Sequence, residues 1–233
     1  MKPRRRLSSV SSDDGAESFN IEDFENGYLK DAKRQLLHFS AMSTHHFEQS
    51  LEIITQLTLM CWMGGPIVQA TITASNLFPQ LYTWIKNKTT PFTPTSEKQI
   101  VRYHEAVIEL MIVICYRSKL NQDRMRKIGW LELLIDLTSH PRQKMKKLAV
   151  TCLLFLMMNN TANQFWVLKV PKIQDSITAV VNEDWTGYPS NYADDLLNLL
   201  DLAQNTIKSG SGRESLASLF ERIVRHNDNE KMK

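Results

Sequence analysis

Apolar residues recur along this chain every three or four positions, the spacing of helices buried on one face. Phe24, Tyr28, Leu29, Leu36 and Leu37 form such a stripe and predict a first helix from about Ile21. Phe47, Leu51, Ile54, Leu57 and Met60/Cys61 predict a second over 44–63, stopped by Gly64-Gly65-Pro66. The stretch 67–87 is harder to read, because Ala70-Thr71-Ile72-Thr73-Ala74 alternates like a strand, but its surroundings favour a pair of helices. A long polar connection, 87–95, follows with two prolines. Ser96-Glu97-Lys98-Gln99 then has the form of a capping box and opens a long helix reaching about Lys119. Ser139-His140-Pro141 opens another, since proline is tolerated in a first turn. Tyr188-Pro189-Ser190 begins a helix whose core face is Leu196, Leu199, Leu200 and Ala203.

The helical pattern repeats. Val113–Ile135 and Phe155–Ile177 align without a gap at an offset of 42 residues. Asn121-Gln122 falls on Asn163-Gln164, Ile128 on Val170, Gly129 on Pro171, and Leu131 on Ile173. Phe78-Pro79-Gln80-Leu81 and Trp84-Ile85 match the same pattern at an offset of 50, with the extra residues assigned to the loop at 87–95. A unit of this kind cannot bury its apolar face alone and requires stacked neighbours.

A long apolar helix, a polar corner containing Asn-Gln, and an amphipathic helix introduced by Ile-Gly or Val-Pro together resemble an armadillo repeat, over about residues 65–183. The resemblance implies an all-α fold: a right-handed armadillo-like superhelix of three to four short repeats with helical caps. It also implies a protein-binding surface. The family's peptide-binding asparagine would fall on Val113 and Phe155, and its tryptophan on Glu109 and Thr151. None of these matches, so the expectation is a diverged adaptor and not an extended-peptide groove.

Composition narrows the chemistry. Only 8 of 233 residues are glycine, well under the average of about 7%. No glycine-rich phosphate loop, nucleophile elbow or paired-histidine zinc motif occurs. Cys61, Cys115 and Cys152 each sit in apolar runs and read as buried thiols of a reducing compartment. The histidines form no ligand spacing, Tyr103-His104-Glu105 reads as a satisfied surface cluster, and the tryptophans read as packing between repeats. The expectation is therefore a non-catalytic protein with no cofactor or metal, intracellular, in the nucleus or cytoplasm. The longest apolar runs, Ala106–Tyr116 and Leu148–Met158, fall short of the roughly 20 residues a membrane span needs.

The chain divides into a basic, serine-rich and then acidic tail (1–20), a helical domain (21–208), a flexible linker (209–212), an amphipathic helix (213–227) and a short tail (228–233). Net charge is only +3, yet cations cluster. Arg117, Lys119, Arg124, Arg126, Lys127, Arg142, Lys144, Lys146 and Lys147 would form a basic rim if the repeats stack, suited to an acidic protein segment. Nucleic acid or phosphate is the alternative ligand. Leu216, Leu219, Phe220 and Ile223 give the C-terminal helix an apolar stripe that would cap the last repeat or dock in a partner's groove. Arg5-Arg6-Leu7-Ser8 matches a basophilic-kinase consensus with Ser8 as acceptor. Phosphate there would add to the acidic run Asp13–Glu25, which could fold back on the basic rim.

Overall fold

The computed structural model describes residues 21–41 and 46–209. Among these residues all regular secondary structure is helical: α1 (Ile21–Ala41), α2 (Phe47–Thr73), α3 (Leu77–Lys86), α4 (Glu97–Cys115), α5 (Lys119–Ile128), α6 (Trp130–Leu137), α7 (Gln143–Met157), α8 (Thr161–Leu168), α9 (Ile173–Val181) and α10 (Tyr192–Ser209). The N-terminal tail with Ser8, the linker beyond Ser209 and the C-terminal stripe of Leu216, Leu219, Phe220 and Ile223 lie outside the described residues.

The long helices α1, α2, α4, α7 and α10 pack side by side in chain order. Short helices lie against them, with α3 on α4, α6 on α7 and α9 on α10. One continuous core runs through the stack, including Ile54, Leu57, Ile72, Leu81, Ile108, Met111, Trp130, Leu153, Ile177 and Leu200. By length and apolarity α2 is the one described helix that could cross a membrane. It bends at Gly65, and Ile54, Leu57, Cys61, Val68 and Ile72 place it inside this core.

Side-chain amides fix the register of the units. Asn121 Nδ2 donates to Ile114 O (3.1 Å), and Asn163 Nδ2 to Leu156 O (2.7 Å). Gln122 Nε2 donates to Cys115 O (3.2 Å), and Gln164 Nε2 to Met157 O (2.8 Å). Donors and acceptors in each pair are 42 residues apart. The acceptors are carbonyls of the last helical turn, which no intrahelical N–H reaches.

The glutamines also bridge from one unit to the next. Gln122 Nε2 donates to Phe155 O (2.8 Å) and Met158 O (3.2 Å). Gln69 Nε2 donates to the counterparts, Val113 O (3.0 Å) and Tyr116 O (3.1 Å). Gln69 is thus the equivalent of Gln122, 53 positions earlier, and the first unit aligns at that offset and not at 50. At 53, Phe78 and Leu81 fall on Leu131 and Leu134, all buried.

Backbone turns repeat as well. Arg117 (φ 53°) and Asn159 (φ 57°) are left-handed at matching positions, and Gly65 (φ 58°) stands between α2's two straight segments. Gly65 (φ 58°, ψ −145°) leaves helical geometry, so the first segment of α2 stops at Gly64-Gly65-Pro66 as the sequence predicts, and a second segment runs on from there to Thr73. The helix opened at Ser96 ends at Cys115, short of Lys119, because Tyr116 (ψ 120°) and Arg117 leave helical geometry. Gly129 (φ 104°) joins α5 to α6; a Cβ there would sit 2.8 Å from Tyr82 Oη. Pro171 aligns with it but cannot take a positive φ, and the left-handed residue is the next one, Lys172 (φ 58°).

Most other elements match their sequence signals. Ser96 Oγ accepts from Gln99 N (3.4 Å), while Gln99 Oε1 reaches back to Thr95 N (2.8 Å) and not to Ser96. Ile67–Asn87 forms two helical segments, and its alternating Ala70–Ala74 stretch ends α2. Leu196, Leu199, Leu200 and Ala203 are buried on α10. Leu37 differs: it is 71% exposed, because Leu36 already fills the inward position of that turn.

Candidate interaction surface

The nine cations of the basic cluster separate into two groups. Arg142, Lys144, Lys146 and Lys147 lie around the start of α7, and acids remote in sequence meet them there. Glu105 of α4, buried, pairs with Arg142 (3.0 Å) and Lys144 (3.6 Å), and Glu109 pairs with Lys144 (2.9 Å). Lys146 pairs with Glu183 (2.7 Å), in the turn after α9. Lys147 Nζ donates to Asp184 O (2.7 Å) and lies 4.9 Å from the centre of the Tyr188 ring. Glu109 and Glu105 hold the Lys144 ammonium above its usual value, against the opposing effect of burial. Lys146 lowers the Glu183 carboxyl chiefly by hydrogen bonding. These cations tie α4, α7 and the 182–191 turn together.

The second group sits on α5 and the turn before it. Arg126 pairs with Asp123 (3.4 Å), and Arg124 Nη1 donates to Thr73 Oγ1 of α2 (2.9 Å). Asn160 donates to the same Asp123 carboxylate (3.0 Å), and this bond is the main cause of its lowered pKa. Arg117 stacks on Tyr116, 5.2 Å from the ring centre. Lys119 and Lys127 are exposed and make no ion pair among the described residues. Leu120, Arg124 and Lys127 follow one another at i, i+4, i+7, so they share a face. Leu120 is 61% exposed. The outer face of α5 thus offers basic side chains around an open leucine.

Of the four positions at which an armadillo groove would bind peptide, three are occupied by packing and the fourth, Glu109, pairs with Lys144. Phe155 is buried between Tyr116 (5.6 Å) and Tyr192 (6.0 Å), and Val113 and Thr151 are buried as well. Trp130 is fully enclosed, and Trp62, Trp84, Trp166 and Trp185 pack against the core.

Tyr103, His104 and Glu105 are all buried, where the sequence reading placed a surface cluster. The loop 87–96 covers the first two, with Phe92 packed on Tyr103 (5.4 Å) and His104 Nε2 donating to Thr89 O (2.8 Å), while Arg142 and Lys144 meet Glu105. Burial lowers the His104 pKa most, the Thr89 bond opposes this, and nearby His140 lowers it further. The unfolded chain takes up this proton near pH 6.5, whereas the folded chain does so only at lower pH. The stability from neutral His104 is therefore complete above about pH 6.5 and is lost as pH falls towards the folded value. Thermal melts at pH 7.5 and 5.5 should show a drop at the lower pH that is smaller in His104→Gln; an equal drop in both would contradict this assignment.

The three cysteines are free and buried on α2, α4 and α7. Burial pushes the Cys61 and Cys115 thiols up and keeps them protonated. No group of three or more metal-ligating side chains occurs among the described residues. The fold defines an all-α protein with repeated long-short-short helical units. No protein-family profile, no curated protein and no solved structure matches the chain.

Proposed function

We propose that this chain is a non-catalytic adaptor built as an armadillo-like solenoid, which binds an acidic, helical segment of a partner protein on the outer face of α5. The observation that carries this reading is the unequal use of the cations. Those around α7 are engaged by Glu105, Glu109 and Glu183, while Lys119 and Lys127 flank the open Leu120. The equivalent hydrogen bonds of Asn121 and Asn163, and of Gln69 and Gln122, support the solenoid. In this reading the C-terminal stripe Leu216–Ile223 offers a second contact, and phosphorylation of Ser8 tunes the acidic tail's competition for the basic face. The protein acts in the nucleus or cytoplasm.

Fluorescence anisotropy tests the reading with an amphipathic helical peptide bearing aspartates around a leucine stripe. Combined Lys119→Glu and Lys127→Glu should weaken binding about tenfold or more, and binding should fall as salt rises. Lys144→Glu should leave it within about twofold, because that side chain serves the internal network. Equal binding by all variants would overturn the reading. Tighter binding of an oligonucleotide than of the peptide would favour the phosphate-binding alternative.

A further inference from the structure

The loop between α3 and α4 is a strap held down at two points. His104 Nε2 donates to Thr89 O (2.8 Å), and Phe92 is wedged between Phe47 (5.3 Å) and Tyr103 (5.4 Å). Thr90 lies between these points and donates its hydroxyl to Phe92 O (2.7 Å). Beyond Phe92 the strap is open to solvent. Thr93 and Pro94 are exposed, and the Thr93 hydroxyl has no hydrogen-bond partner among the described residues.

Of the 8 prolines in the chain, only Pro91 and Pro94 follow a serine or threonine, and both are in the strap. Pro91-Phe92-Thr93-Pro94 sets a proline two positions before and one position after a threonine, the pattern that proline-directed protein kinases accept. The pattern has a physical basis. A proline after the acceptor has no N–H, so the kinase pocket that receives its ring needs no hydrogen-bond acceptor there. It also drives the preceding threonine into an extended conformation, the form in which a kinase cleft receives its substrate. We propose that Thr93 is a phosphorylation site for a proline-directed kinase, and that Phe92 gates it.

In the transfer, Thr93 Oγ1 bonds to the γ-phosphorus of ATP, and the bond from that phosphorus to the leaving ADP oxygen breaks. The hydroxyl proton passes to the kinase's catalytic aspartate. Thr90 also precedes a proline, but it is half-buried with its hydroxyl engaged, and Lys88 stands two positions before it. A cleft that seats Thr93 must take Phe92 in extended form as well, so Phe92 first has to leave Phe47 and Tyr103. That local opening sets the rate of modification. The phosphate brings a charge of about −2 just ahead of α4, whose N-terminal end favours an anion. The site uses the strap and not α5, and it stands whether or not an acidic partner binds there.

Incubation of the full chain with a purified proline-directed kinase and magnesium ATP, read by peptide mass spectrometry, tests it. A single phosphate should appear within the strap, on Thr93. Thr93→Val and Pro94→Ala should each remove it, whereas Thr93→Ser and Thr90→Val should keep a phosphate at position 93. Phe92→Ala should speed modification of the full chain about threefold or more, because the opening no longer has to unseat an aromatic ring. The same substitution in a peptide of residues 87–99, where nothing is covered, should leave the rate unchanged. A full chain that stays unmodified while the peptide is modified, phosphate on Thr90 in place of Thr93, or an equal effect of Phe92→Ala on chain and peptide would each overturn the proposal.

Discussion

Gln122→Met should destabilise the fold by about 2 kcal/mol while leaving its volume nearly unchanged, because two buried carbonyls lose a donor at about 1–2 kcal/mol each, offset in part by removal of Gln122 Oε1, a buried acceptor without a partner among the described residues. The affected groups are Phe155 O and Met158 O in the following unit. The third acceptor, Cys115 O, still receives the Ser118 N–H (3.2 Å). Denaturant unfolding monitored by circular dichroism measures the loss. Gln174→Met is the control: its bond to Asp201 (3.0 Å) is exposed, so its removal should cost less than about 0.5 kcal/mol. Equal effects at the two positions would mean that Gln122 is not a clamp between units.

Trp130→Ala should cost about 3–5 kcal/mol, the range for emptying a large buried aromatic site. Trp130 is fully buried at the start of α6, just after the left-handed Gly129, and meets Tyr82 of α3 edge-on at 5.8 Å. It thus joins the short helices of two successive units. Its indole Nε1 has no hydrogen-bond partner among the described residues. Trp130→Phe should therefore cost much less, since it keeps an aromatic ring and removes a buried donor that costs about 1–3 kcal/mol when unpaired. Melting temperatures in the order wild type, Phe, Ala would agree; a Phe variant as unstable as the Ala variant would not.

The helical pattern was readable because apolar spacing reports burial on one face of a helix. The paired Asn121-Gln122 and Asn163-Gln164 likewise marked the repeat. Their role was not readable from spacing, because it lies in carbonyls seven residues back and more than thirty residues ahead. Gln69 carried no signal at all: no asparagine precedes it, and its unit has a different length. The cationic cluster misled for a related reason. Counting charges between 117 and 147 leaves out Glu105, Glu109 and Glu183, which only the packing of α4 and the 182–191 turn against α7 brings near. His104 looked like a surface residue because the covering loop is polar in sequence, yet Phe92 within it packs inward.

Side-chain amides at equivalent corners hold successive units in register. Solvent exchange of the side-chain amide protons, measured by nuclear magnetic resonance, tests it most directly. Gln69, Asn121, Gln122, Asn163 and Gln164 are buried with their amides bonded to main-chain carbonyls. Their amide protons should exchange as slowly as backbone amides of the core, with Gln122→Met speeding exchange at Gln164 in the next unit. Exchange at the rate of the exposed Gln143 and Gln174 would contradict the claim.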